Sequence, residues 1–267
     1  MTALVGQGKD FLTRLAIQSR VLGALLMREI LTRYGRHNIG FMWVFVEPML
    51  FTAGVLILWS IFHKHSIRLP LVPFTITGYS SVLNWRTTIG RCGNAIEPNR
   101  ALMHHRNVRV LDLYVARIVI ELAGVTISFL ALFTTLVALQ LMPLPYDAVE
   151  LLSGWLLLSW FSASAAMIVG SLIVYNEAVE RVWHVVAYLF LPISGAFFMV
   201  DWLPYRLQNY ALLIPTVNCT EIMREGYFGP SVRAHYHLAY FVAFTLVLSL
   251  VALSLVRSVA GRVETRG

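Results

Sequence analysis

The chain has 267 residues, 58% of them apolar and 13% charged, with a formal net charge of +7 and a mean hydropathy of +0.69. Soluble domains carry roughly 25% charged residues, so a soluble enzyme, a disordered scaffold and a disulfide-knit secreted domain are excluded. What remains is an all-α integral membrane protein, built from stretches of about 20 apolar residues that cross a bilayer as helix.

In chain order, Met1–Asp10 lacks the basic n-region and apolar core of a cleavable signal. The first span is therefore the expected targeting element. Residues 10–36 read as an amphipathic helix. Phe11, Leu15, Leu22, Leu26 and Ile30 share one face, Arg14, Arg20 and Arg28 lie away from it, and Gly35 is the stop. Such a helix is expected in the interface plane, its basic side chains reaching the headgroups.

Six spans are predicted. Ile39–Phe62 carries only Glu47 as a charge, and Leu69–Gly90 only Arg86. Leu122–Tyr146, Leu151–Asn176, Val182–Val200 and Ala234–Val256 carry none. The third helix is expected to start near Val110, with Asp112, Arg117 and Glu121 emerging from an interface or packed on neighbours. Between spans, residues 91–109 form a polar loop interrupted by Pro98, and Asn176–Arg181 is a short one. Residues 201–233 form the long exception. Leu207, Tyr210, Ala211 and Ile214 repeat with helical spacing, followed by Pro215 and a second short segment to Gly229. Two short re-entrant helices dipping into the outer leaflet under a cover of protein fit this pattern.

Basic residues number 14 on the side of the N-terminus and 5 on the other, which makes both termini cytoplasmic. Attraction to anionic lipid accounts for the net charge without nucleic acid. The division that follows is a cytoplasmic segment 1–38, a six-helix transmembrane domain 39–257 with its periplasmic insert at 201–233, and a cytoplasmic tail 258–267.

No P-loop, HExxH or GxSxG sequence occurs, so the chain has no recognisable site of its own for nucleotide phosphates, zinc proteolysis or acyl transfer. Cys92 and Cys219 fall on opposite predicted sides and do not pair. The HxH pairs His63/His65 and His235/His237 read as interfacial histidines, without the flanking ligands of a metal site. Asn218-Cys219-Thr220 is a weak glycosylation sequon.

Glu47 is the sharper signal. It lies about 12 Å into the first span, where an ionisable group needs a partner or water, and Pro48 beside it frees a backbone carbonyl. Arg86 lies at comparable depth in the second span. Two readings stand: a structural Glu47–Arg86 pair, or the polar lining of a substrate path. Most of the abundant Trp and Tyr read as interfacial belts, with mid-depth rings available to stack on sugar faces. On the segment Thr220–Gly229, Glu221, Arg224 and Glu225 share a helix face at i, i+3 and i+4. They read either as a static pair seating the helix or as a closure above a pore.

Arg28-Glu29-Ile30-Leu31-Thr32-Arg33-Tyr34, then Gly40-Phe41-Met42-Trp43 and Glu47-Pro48, resembles the entry to the first span of type-two ABC exporter permeases of the Gram-negative capsular polysaccharide export family. Glu221-Ile222-Met223-Arg224-Glu225-Gly226-Tyr227-Phe228-Gly229 is similar to that family's segment before its last span. The resemblance covers nearly the whole chain, with Asn218-Cys219 departing from a more apolar expected sequence. It implies a bacterial inner-membrane homodimer with a pore between the copies. Two cytoplasmic ATPase subunits that use ATP and Mg would sit below, with a periplasmic adaptor and an outer-membrane exporter beyond. The cargo it implies is a lipid-linked acidic polysaccharide.

On this resemblance Arg28, Glu29, Arg33 and Tyr34, with Glu97, Pro98 and Asn99, contact the ATPases. Trp43, Glu47 and Tyr79, together with Arg86, are pathway candidates, and Glu221, Arg224 and Glu225 form the outer gate. The chain itself is expected to be no enzyme and to carry no cofactor. The alternatives are export of O-antigen, teichoic acid or a small amphiphile, and, less favoured, an integral-membrane transferase acting on lipid-linked sugars. The transferase lacks a convincing catalytic cluster.

Overall fold

The computed structural model describes residues 2–34, 38–62, 69–104 and 108–264. Among them every regular element is a helix, without strands. The helices are α1 (Thr2–Tyr34), α2 (Asn38–Phe62), α3 (Leu71–Cys92), α4 (Val110–Ala138), α5 (Ala148–Tyr175), α6 (Ala178–Phe190), α7 (Tyr205–Leu212), α8 (Pro215–Phe228) and α9 (Leu238–Glu264). A 3-10 turn, Glu97–His104, lies between α3 and α4. His63 and His65 lie outside the described residues.

Three of the described helices are long and apolar enough to cross a membrane: Val110–Ala138, Ala148–Tyr175 and Leu238–Arg262. The first starts at the expected Val110. Its first turn is closed by Asp112, whose carboxylate accepts from the Arg109 amide at 2.9 Å. The second is capped by Asp147, which accepts from the amides of Val149 and Glu150. The expected fifth span, Val182–Val200, is not one continuous helix. α6 stops at Phe190, a 3-10 turn containing Pro192 follows, and the chain then runs non-helically through Gly195 to Met199. Proline removes a ladder donor and crowds the preceding turn, so this apolar stretch breaks where hydropathy alone sees none.

α5 is the hub, packing on α3, α8 and α9. Its small residues admit close neighbours, and its hydroxyls and indole bond across helices, as membrane bundles do without a hydrophobic drive between them. Asn84 of α3 donates to Ser159 at 3.0 Å and accepts from Ser162 at 2.9 Å. Trp160 donates to Ser249 of α9 at 3.1 Å. On the other flank Phe129 stacks on Trp155, ring centroids 4.6 Å apart, within a cluster that takes in Leu132, Leu151, Met223 and Tyr227.

α8 is the surprise of the packing. Twelve of its fourteen residues are buried, which makes this polar segment a core helix of the bundle. It crosses α5 so closely at Gly226 that a Cβ there would overlap the Leu151 amide nitrogen and lie 2.9 Å from the Asp147 carbonyl oxygen. Backbone bonds from Tyr146 and Asp147 to Tyr227 and Gly226 lock the contact. Gly226→Ala is expected to destabilise by about 2 kcal/mol, because backbone rather than a yielding side chain stands in the way. Thermal unfolding in detergent checks this.

α1 packs on the bundle: Leu25 is buried against Leu113 and Ala116 of α4, with Val21, Leu22 and Leu26 packed beside it. Gln18 bonds Asp112, and Glu29 ion-pairs with Arg117. The side chains of Phe11, Arg14 and Leu15 lie outside the described residues. In α7, Ala211 and Leu212 are buried while Leu207 and Tyr210 are exposed. The expected stripe is thus rotated: the helix has only eight residues and hands over to α8 at Pro215, so Leu212 takes the inward place.

Candidate functional site

A cavity of about 720 Å³ opens where α2, α3 and α6 converge, at the end of the bundle where α3 stops and α4 begins. One stripe of each helix faces it. α3 contributes Tyr79, Leu83, Arg86, Thr87, Gly90 and Arg91, an i, i+4, i+7, i+8, i+11, i+12 series that helical geometry puts on one face. α2 adds Glu47, Pro48 and Phe51, and α6 adds Glu180, Trp183, His184, Ala187 and Tyr188 with the same periodicity. Arg117 of α4 closes the floor. Pockets of this size suit extended ligands that need a few fixed polar contacts.

The charges are arranged unequally. Arg91 bonds Glu47 at 3.0 Å and Glu121 at 3.2 Å. Arg86 instead lies over Tyr188, its guanidinium carbon 4.2 Å from the ring centroid, and among the described residues it has no carboxylate partner. The Glu47–Arg86 pair read as one alternative is therefore replaced by Glu47–Arg91. Arg91 lies five residues further along α3, about 7.5 Å on the axis, which is level with Glu47. A double-mutant cycle separates the two assignments. Glu47→Gln with Arg91→Gln should couple by about 1 kcal/mol, whereas Glu47→Gln with Arg86→Gln should add within about 0.5 kcal/mol.

At the far end of α3 a second polar centre is fully enclosed. Arg224 is 0% exposed. Its guanidinium donates to the carbonyls of Gly195 at 2.8 Å, Ala196 at 2.6 Å and Phe198 at 2.5 Å, and its carbon sits 4.0 Å from the Phe74 ring centroid. Gly78 makes room: a Cβ there would collide with the Ala196 carbonyl. Glu221 accepts from the amides of Val200 and His235, each at 3.0 Å. Burial pushes the Glu221 carboxyl up, and nearby Arg224 with the two amides draws it back. Burial lowers Arg224 to about 10, opposed by Glu221, so it stays charged at neutral pH. The expected Glu221–Arg224 ion pair on one helix face is thus corrected. Arg224 holds the non-helical strap after α6 by the carbonyls of residues 195, 196 and 198, and Glu221 ties the end of that strap at Val200 to the segment before α9 at His235. Glu225, half-buried, belongs to neither set of bonds.

No family model matches the chain. It is 42% identical over 256 residues to the capsule polysaccharide export inner-membrane protein CtrC of Neisseria meningitidis serogroup A, covering 96% of this chain and 97% of that protein. The chain belongs to the capsule polysaccharide export inner-membrane protein family. The capsule polysaccharide export inner-membrane protein BexB of Haemophilus influenzae is 37% identical over 260 residues, 97% of this chain and 98% of that one. The polysialic acid transport protein KpsM of Escherichia coli is 27% identical over 253 residues, 91% of this chain and 94% of that protein.

Within this family member the pathway candidates separate. Glu47, Tyr79 and Arg86 meet in the cavity, but Trp43, 53% exposed, lies a turn away on the surface of α2. Of the coupling candidates, Arg28 is half-buried and Glu29 turns inward to Arg117. The side chains of Arg33 and Tyr34 lie outside the described residues. Glu97 and Pro98 are exposed, and Asn99 donates to the Ala95 carbonyl at 2.9 Å. Met103 in the same 3-10 turn packs on the Leu25–Leu113 cluster, which ties this turn to α1.

The sequon is spent internally. Asn218 is buried, donates to the Leu212 carbonyl at 2.8 Å and accepts from the His237 amide at 2.7 Å. Sequence reasoning missed Arg91, Arg117, Glu180, Trp183, His184 and Tyr188. The helical stripe Glu180–Trp183–His184–Tyr188 was the signal available for the α6 wall.

Proposed function

We propose that this chain is the membrane-spanning permease subunit of an ATP-driven exporter that carries lipid-linked capsular polysaccharide from cytoplasm to periplasm. The observation that carries the reading is the near-full-length similarity to capsule polysaccharide export inner-membrane proteins of two organisms. The cavity supports it chemically. Arg86 offers a planar fork to a carboxylate or phosphate, and Tyr79, Trp183 and Tyr188 offer flat faces beside it. Relatives named for capsule polysaccharide export favour capsular polymer over O-antigen, teichoic acid or a small amphiphile.

In this reading two copies enclose the pathway, six apolar stretches cross the inner membrane and both termini face the cytoplasm, which the basic-residue bias supports. Energy comes from two ATPase subunits using ATP and Mg, docked near Arg28, Arg33 and Tyr34 and the exposed Glu97–Pro98 turn. A periplasmic adaptor and outer-membrane exporter receive the polymer. Glu221 and Arg224 seat the outer closure by holding its backbone, with Glu225 beside them on the same helix. The test is ATP hydrolysis by the purified chain alone and with its ATPase partner. The chain alone should hydrolyse none, and the complex should speed up when lipid-linked capsular polymer is added. A complex indifferent to that polymer would contradict the assignment.

A further inference from the structure

Four helices meet in one chain of charge-assisted bonds beneath the cavity. Glu29 of α1 pairs with the Nη1 of Arg117 on α4. The Nε of Arg117 donates at 2.9 Å to the carbonyl of Arg91, one of the orphan carbonyls that every helix leaves in its last turn. Arg91 in turn holds Glu47 of α2 and Glu121 of α4. Glu121 is 3% exposed and the Arg117 side chain 13%, so the lower half of the chain of bonds is dry. There, losing one partner weakens the compensation of a buried charge.

Glu29 is the one member on α1, the helix whose end the proposed ATPase partner would grip. Glu47 and Arg91 line the cavity, and Arg117 reaches its floor. Arg117 is the link between the two groups. It ties α1 to the end of α3, and the end of α3 is what places Arg91 against Glu47.

We propose that Arg117 is a positioning residue that transmits displacement of α1 into the cavity through Arg91. The proposal rests on the reading of this chain as a permease driven by a docked ATPase. When the partner moves α1, Glu29 drags the Arg117 guanidinium. The cap on α3 loosens, and Arg91 shifts its hold on Glu47. The charge balance facing Arg86 then changes without any nucleotide reaching this chain.

The test uses the complex with its ATPase partner in membranes and a thiol reporter in the cavity wall, Thr87→Cys. The native Cys92 and Cys219 are both buried, so a charged methanethiosulfonate reagent reads the reporter. ATP is expected to change the labelling rate by roughly fivefold or more, the size of ordinary site-to-site coupling. Glu29→Gln and Arg117→Gln should each flatten that response, and the double variant should be no flatter than either single one, because both cut the same link. Arg117→Lys, which keeps the charge for Glu29 but loses the bond from Nε, should retain an intermediate response. A response that survives Arg117→Gln would overturn the inference. So would effects of the two single variants that simply multiply in the double one. A wild-type complex whose labelling ignores ATP would overturn the ATPase-driven reading and this inference together.

Discussion

Arg224→Ala is expected to be the most destabilising single change in the chain, by about 4 kcal/mol. The guanidinium satisfies the carbonyls of Gly195, Ala196 and Phe198 at once. It also fills the space under Phe74, which itself stacks on Trp202 with centroids 5.2 Å apart. Truncation strands the buried carbonyls of Gly195 and Ala196 and the half-buried one of Phe198, and leaves a void. In a chain of this length the loss corresponds to a fall of about 10 °C in melting temperature. Arg224→Lys should recover little of it, since an ammonium on a flexible stem cannot reproduce the planar fork or lie flat on a ring. Melting curves of detergent-purified protein decide the matter. A stable Arg224→Ala protein whose membrane leaks small ions would show that the guanidinium closes a pore rather than seats a strap.

Arg86→Glu is expected to have the largest effect on transport with the smallest effect on fold. Arg86 is half-buried, and its contact is the Tyr188 face rather than a carboxylate, so reversing its charge breaks no ion pair inside the protomer. In the cavity the reversed charge sits beside Glu47 and Glu180 and repels an acidic polymer. Polymer-stimulated ATP hydrolysis should need about tenfold or more polymer, the cost of one lost charge-assisted bond. Melting temperature should fall far less than in Arg224→Ala, because the change strands no buried acceptor. Arg86→Lys should fall between, keeping the charge but losing the fork and part of the cation–π contact. If Arg86→Glu stimulates like wild type, the cavity is not where the acidic cargo is held.

The legible and illegible parts of this chain divide by what hydropathy measures. α4, α5 and α9 announce themselves as long uncharged runs, and Asp112 and Asp147 mark two of their starts. The break in α6 is hidden because Pro192 and Gly195 sit among Leu, Ile, Ala and Phe and leave mean hydropathy unchanged. The burial of α8 is hidden for the opposite reason. Asn218, Thr220, Glu221 and Arg224 look like a wet face, yet each bonds to backbone groups, three of them in other segments that no local pattern encodes. Depth along a span was enough to bring Glu47 and Arg86 to one cavity, and the family resemblance added Tyr79. Depth was too coarse to choose between Arg86 and Arg91 as the partner of Glu47, because five residues of helix separate the two arginines. The charge chain through Arg117 depends on how α1 packs on α4, and a lone amphipathic pattern cannot distinguish a protein neighbour from a lipid surface.

The central claim is that this chain, with an ATPase partner, moves an acidic lipid-linked polysaccharide across the inner membrane. Transport into inverted inner-membrane vesicles tests it most directly, using radiolabelled lipid-linked capsular polymer and scoring label protected from an external polymer-degrading enzyme. With ATP and Mg, protected label should accumulate in vesicles carrying the chain and its partner. It should stay at background without ATP, without the partner, or with the Arg86→Glu chain. Protection that appears equally without ATP, or never appears while the intact complex hydrolyses ATP at its full polymer-stimulated rate, would contradict the account.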